Sequence, residues 1–177
     1  LFALTGVRAA GLHDSVVLEE RSNLWTRIWG SNQDDIGEGV TLDGAGNIYV
    51  AGDTFGEYDG QTNAGATDLC LSKFAANGSQ IWTRIWGSTN YDFGWEVALD
   101  RASNVYVVGF TAGVFDGQTN AGNFDLCLTK FSSDGSRGWS RIWGSSNMDE
   151  GFDLAVDDLT NIYVAGTTWG GFGGQTN

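Results

Sequence analysis

One spacing constrains this chain more than any other feature. Trp25, Trp82 and Trp139 stand 57 residues apart, and the same step relates Arg27, Arg84 and Arg141, Trp29, Trp86 and Trp143, Asp43, Asp100 and Asp157, and Asn47, Asn104 and Asn161. A register kept this strictly marks a tandem repeat, in which each unit is one supersecondary element that buries its faces against its neighbours. Within the first unit, alternation of period two predicts strands near 37–43 (GEGVTLD), 48–53 (IYVAGD), 68–74 (DLCLSKF) and 81–87 (IWTRIWG). Turn signals separate them: Gly44 to Asn47, a Gly-rich loop over 54–67 containing DGQTNAG, and Asn77-Gly78-Ser79. No stretch sustains a helical period. Four-stranded antiparallel units stacked radially give a β-propeller, so the expected fold class is all-β: a β-propeller-like array, open or partial, of about three blades. The first strand would line the central channel, where the small Thr41, Ala98 and Ala155 recur. The Trp-rich fourth strand would be outermost.

The expected organisation is an atypical segment over 1–23 holding a half-blade, repeat 1 over 24–80, repeat 2 over 81–137 and a truncated repeat 3 over 138–177, all in one domain. Strands three and four have a weak additional copy at 14–20 and 24–30. The chain thus reads as beginning and stopping part-way through a blade, without an initiator Met. Left open, its end strands would offer unpaired edges and apolar faces, which soluble proteins avoid. The expected partners are therefore other protein chains, by head-to-tail self-association, or the remainder of a longer chain.

Composition narrows the function. A net charge of −13 argues against nucleic acid, which demands clustered Lys and Arg. No apolar run approaches the roughly 20 residues of a membrane-spanning helix. Cys70 and Cys127 occupy equivalent sites in successive units. One packed-sheet step of about 10 Å exceeds the ~7 Å that a disulfide can bridge, so both are expected to be buried thiols.

The phrases DLCLTKFSSDGSRGWSRIWGS, the following D-x-G, LDRASNVYVVGFTAG and FDGQTNAGNFD resemble the SBBP-type β-propeller repeat. The resemblance runs over about 24–177. Cys70 and Cys127 depart from it where another apolar residue is usual, and so does Ser103-Asn104 where a Gly usually precedes the Asn. It implies a propeller found mostly in secreted or cell-surface proteins, and it implies no activity, since fold alone does not define function.

The Asp43, Asp100 and Asp157 series brackets a tight turn, and backbone hydrogen bonding is the favoured reading there. Long Asp- and Gly-rich loops fall on one face of the disc. Asp35, Asp59 and Asp68 of one repeat, Asp92, Asp116 and Asp125 of the next, and Asp149 beyond them are candidate Ca²⁺ ligands, because Ca²⁺ takes six to eight oxygens. Loop stabilisation by hydrogen bonds is the competing role. The W-x-R-x-W strands (Trp25, Arg27, Trp29; Trp82, Arg84, Trp86; Trp139, Arg141, Trp143) place three side chains on one face. They read as a packing clasp between blades, with a guanidinium held between two indoles, rather than as a sugar platform. Asn77 begins a glycosylation sequon on a hairpin turn. His13, the sole histidine, lacks a partner motif for Ser-His-Asp or Cys-His chemistry. The sequence therefore points to a non-enzymatic structural or interaction module, extracellular or at the cell surface. A glycan- or Ca²⁺-dependent binding propeller using the loop face is the alternative.

Overall fold

The structure, a computed structural model, describes residues 25–176. Its strands follow the repeat. β1 (Asp35–Leu42), β2 (Ile48–Thr54), β3 (Asp68–Phe74) and β4 (Gln80–Trp86) form one antiparallel sheet in that order. β5 (Asp92–Leu99), β6 (Val105–Thr111), β7 (Asp125–Phe131) and β8 (Arg137–Trp143) form a second, and β9 (Asp149–Val156) pairs with β10 (Ile162–Thr168) in a third. Because the 81–137 and 138–177 units open on the Trp-rich β4 and β8, the outer strand of a blade belongs to the next unit of sequence. Unit and blade are out of phase by about one strand.

The first strand of each blade is bulged, between Gly37 and Gly39 in β1 and between Gly94 and Glu96 in β5. It also wedges against the blade before it: β5 packs on β1, β2 and β3, and β9 on β5, β6 and β7. Successive first strands therefore touch, as strands nearest a central axis must. Tyr49, Ala51, Leu69 and Leu71 of the first sheet bury themselves against Val97, Val105 and Val107 of the second, with Phe115, Cys127 and Phe131 completing this core. Tyr106, Val108 and Leu128 do the same with Leu154 across the second seam. Each valine, leucine and phenylalanine among them contributes roughly 1.5–3 kcal/mol through burial. Cys70 and Cys127 are both buried and free, as their equivalence requires.

Residues 25–30 form no strand, contrary to the strand four expected over 24–30. They nevertheless lie on blade 1 as β4 lies on blade 2. Trp29 meets Phe74 edge-on at 4.6 Å, as Trp86 meets Phe131 at 4.8 Å. Trp25 covers the turn at Gly78 as Trp82 covers the turn at Gly135. The strand three expected over 14–20 and His13 lie outside the described residues.

At the other end β10 is bare. Every residue of β2 and of β6 is buried, whereas all of β10 but Ile162 is exposed.

Candidate functional site

Four buried carboxyls, Asp68, Asp92, Asp125 and Asp149, stand at the seams between blades. Asp68 heads β3 and Asp92 heads β5. Asp68 Oδ2 accepts the Ala64 amide at 2.6 Å, and Asp92 Oδ2 accepts the Ser88 amide at 2.6 Å and its hydroxyl at 2.9 Å. One oxygen of each thus ties down its own loop. Both side chains are buried, and Asp68 Oδ1 has no hydrogen-bond partner. Gly87 passes between them: a Cβ there would stand 2.5 Å from Asp68 Oδ1 and 2.7 Å from Asp92 Oδ2. The arrangement recurs one period later, where Asp125 lies against Gly144 beside Asp149. Asp35, at the same position in β1, accepts the Ser31 amide at 2.6 Å.

The trios expected within single repeats do not assemble. Asp68 faces Asp92 of the next repeat, across the seam. Asp59 and Asp116 sit at loop tips in left-handed conformation, with φ of 53° and 48°. There Asp59 accepts from Gln80 Nε2 at 3.1 Å, and Asp116 pairs with Arg137 at 2.8 Å. Their backbone turn aims them at the outer strand. Among the described residues no group of three or more His, Cys, Asp or Glu converges.

Burial within the seam raises the cost of charge. Burial, then the neighbouring Asp92 carboxylate, pushes Asp68 up to about 6, against backbone hydrogen bonds from Ala64 and Gly65. Asp92 and Asp125 are also raised, chiefly by burial. Since the folded form of Asp68 holds its proton more tightly than the unfolded chain, its stabilising contribution is complete below about pH 4 and is lost as pH rises through 6. Asp68→Asn is therefore expected to stabilise the fold near neutral pH by on the order of 2 kcal/mol. The gain should vanish near pH 4. Urea melts of both proteins across that range check it; a pH-independent difference would contradict the seam electrostatics.

The clasp strands also act across seams. Arg84 Nε donates to the Gly135 carbonyl at 2.7 Å, and its guanidinium lies 5.3 Å from the Trp82 ring. Arg141 repeats the stack on Trp139 at 5.7 Å. The expected sandwich between two indoles does not form, because Trp86 turns into the next blade instead: its Nε1 donates to Thr129 Oγ1 at 3.0 Å. Lys73 adds a bond to the Ser133 carbonyl at 3.0 Å while standing over Tyr49.

The DGQTNAG loop has a role that composition alone concealed. Gln61 donates to the Thr83 carbonyl and accepts the Ile85 amide, so its side chain satisfies the free edge of β4; Gln118 does the same for β8. Such capping blunts an outer edge against further pairing. The Asp43 series is turn chemistry: Asp43 Oδ1 accepts the Ala45 and Asn47 amides at 2.9 Å, and Asp100 and Asp157 repeat the pattern. Asn77 is exposed on the 75–79 turn, where its Oδ1 accepts the Ser79 amide.

Four-stranded antiparallel blades, stacked through their first strands and locked by side chains reaching from an outer strand to the next turn, define an open β-propeller array. The family model of the SBBP β-propeller repeat matches residues 24–59 and 138–173, two periods apart, and the chain carries repeats of this family. No curated protein matches the chain.

Sequence reasoning missed a buried acid, Asp53, which Glu38 and Asp35 both influence, and a buried hydroxyl, Thr67; an oxygen of each has no hydrogen-bond partner. The signal was present as a break in the repeat: position 53 is Asp, but its equivalents are Phe110 and Thr167.

Proposed function

We propose that this chain is a non-catalytic structural and interaction module that joins, head to tail, to further units of its own kind in an extracellular or surface assembly. The observation that carries the reading is the exposure of β10, set against the complete burial of its equivalents β2 and β6. Tyr163 and Val164 stand in water where Tyr106 and Val107 are core. The partner of best fit is another blade of the same repeat, on a second copy or further along a longer chain. Blade 1 receives Trp25 and Trp29 on its incoming face as blade 2 receives Trp82 and Trp86, so incoming and outgoing faces differ and the contact is heterologous. Such contacts close into a ring or run on as a filament according to the rotation per unit.

Light scattering over a concentration series tests this. Mass should rise in whole multiples of the chain, and Val164→Lys, placing a charge on the open strand, should return it to monomer. A wild-type chain that stays a monodisperse monomer at all concentrations would refute the proposal.

A further inference from the structure

The seam between blades 1 and 2 is not a copy of the seam between blades 2 and 3. At its loop end the second seam is aromatic. Phe110 lies 5.1 Å from Phe93, 5.4 Å from Phe124 and 6.1 Å from Trp95, while Phe152 of the third blade stands 5.0 Å from Trp95. One period earlier the same four positions are Ile36 for Phe93, Glu38 for Trp95, Asp53 for Phe110 and Thr67 for Phe124. Aromatic packing serves the architecture there, so the fold itself asks for no carboxyl at position 53.

Asp53 is nevertheless only 2% exposed and Thr67 fully buried, and neither Asp53 Oδ2 nor Thr67 Oγ1 has a hydrogen-bond partner. Strand alternation puts Asp53 on the face of Tyr49 and Ala51, and Thr67 on the face of Leu69 and Leu71, all of which look into the seam. Blade 2 seals the place: Gly94 lies against the Gly52 carbonyl, and the Asp92 amide donates to the Thr67 carbonyl. A buried polar group left without a partner costs on the order of 2–7 kcal/mol. Burial, Glu38 and Asp35, in that order, push Asp53 up to about 8.

We propose that Glu38, Asp53 and Thr67 bind a hard divalent cation, Ca²⁺ or Mg²⁺, in the seam between blades 1 and 2. Two carboxylates and a hydroxyl form an all-oxygen donor set, the preference of these ions. The ion would neutralise two coupled acids and occupy the two orphaned oxygens at once. Glutamate, aspartate and threonine also fill less space than the tryptophan and two phenylalanines that stand at their equivalents in the second seam. The site occurs once among the described repeats, since Trp95 and Phe110 exclude it from the second seam. It does not depend on head-to-tail association.

The test is thermal melting of the full chain in EDTA, in CaCl₂ and in MgCl₂, with calorimetric titration of each ion. At about 100 times the dissociation constant the expected rise in Tm is about 5–10 °C, and the stronger of the two responses names the ion. Titration should give one ion per chain. Asp53→Phe, which installs the residue of repeat 2, should melt identically in EDTA and in either salt. Asp53→Asn, which keeps the shape and removes the charge, should lose the response likewise and carries the test if the phenylalanine does not fold. A wild-type Tm that ignores both ions, or an Asp53 variant that keeps the full rise, would overturn the assignment.

Discussion

Gly109→Ala is expected to cost on the order of 4 kcal/mol, more than most single substitutions. The β5 bulge swings the Phe93 carbonyl directly over Gly109, and an added Cβ would collide with that oxygen. The obstacle is backbone, held in the sheet on both sides, so no rotamer change relieves it. Gly52 meets the Ile36 carbonyl and Gly166 the Glu150 carbonyl in the same way. Bulge and glycine therefore form one device, repeated in every blade. Gly44→Ala provides the comparison, since a Cβ there meets nothing within 4 Å. Urea unfolding followed by tryptophan fluorescence measures both. A loss below about 1 kcal/mol at Gly109 would mean that the strand can shift to make room.

Trp86 and Trp143 hold the same place in the repeat, and their alanine variants should behave very differently. Trp86 is 6% exposed, rests edge-on against Phe131 and donates to Thr129, whose hydroxyl is 3.0 Å from that of Ser140. Trp86→Ala leaves a cavity at the seam and is expected to cost about 3–5 kcal/mol. Trp143 is 42% exposed, and among the described residues no outer strands follow β10 to cover it. Trp143→Ala should cost less than about 1 kcal/mol in the isolated chain. Under conditions where chains associate, the same variant should weaken association, because burial of Trp143 is then part of the contact. Equal costs for the two variants in dilute solution would contradict this account.

Much of the fold was legible because the repeat reports each strand more than once. Alternation placed β2 at 48–53 and β3 at 68–74, against 48–54 and 68–74 in the structure. The Asp43 turn was legible because its partners, Asn47 and Tyr49, lie within six residues. Contacts between blades were harder. Position in the sequence groups Asp68 with Asp35 and Asp59 of its own repeat, yet its neighbour is Asp92, brought near by stacking rather than by sequence. The guanidinium sandwich failed for a similar reason: alternation gives Trp86 its face, but the cavity of the next blade sets its direction. Asp53 escaped notice because searching for what recurs suppresses what does not. Residues that serve the architecture repeat with it, so a binding residue is best sought where the period fails.

The constant 57-residue period has a genetic consequence. Duplicating one full period adds the four strands of one blade in their proper order, whichever residue the duplication begins at. No particular breakpoint is needed, and no sheet edge is created or lost in the exchange. A gene built this way can lengthen or shorten its product by whole blades through unequal crossing-over, with every intermediate keeping its strand order intact.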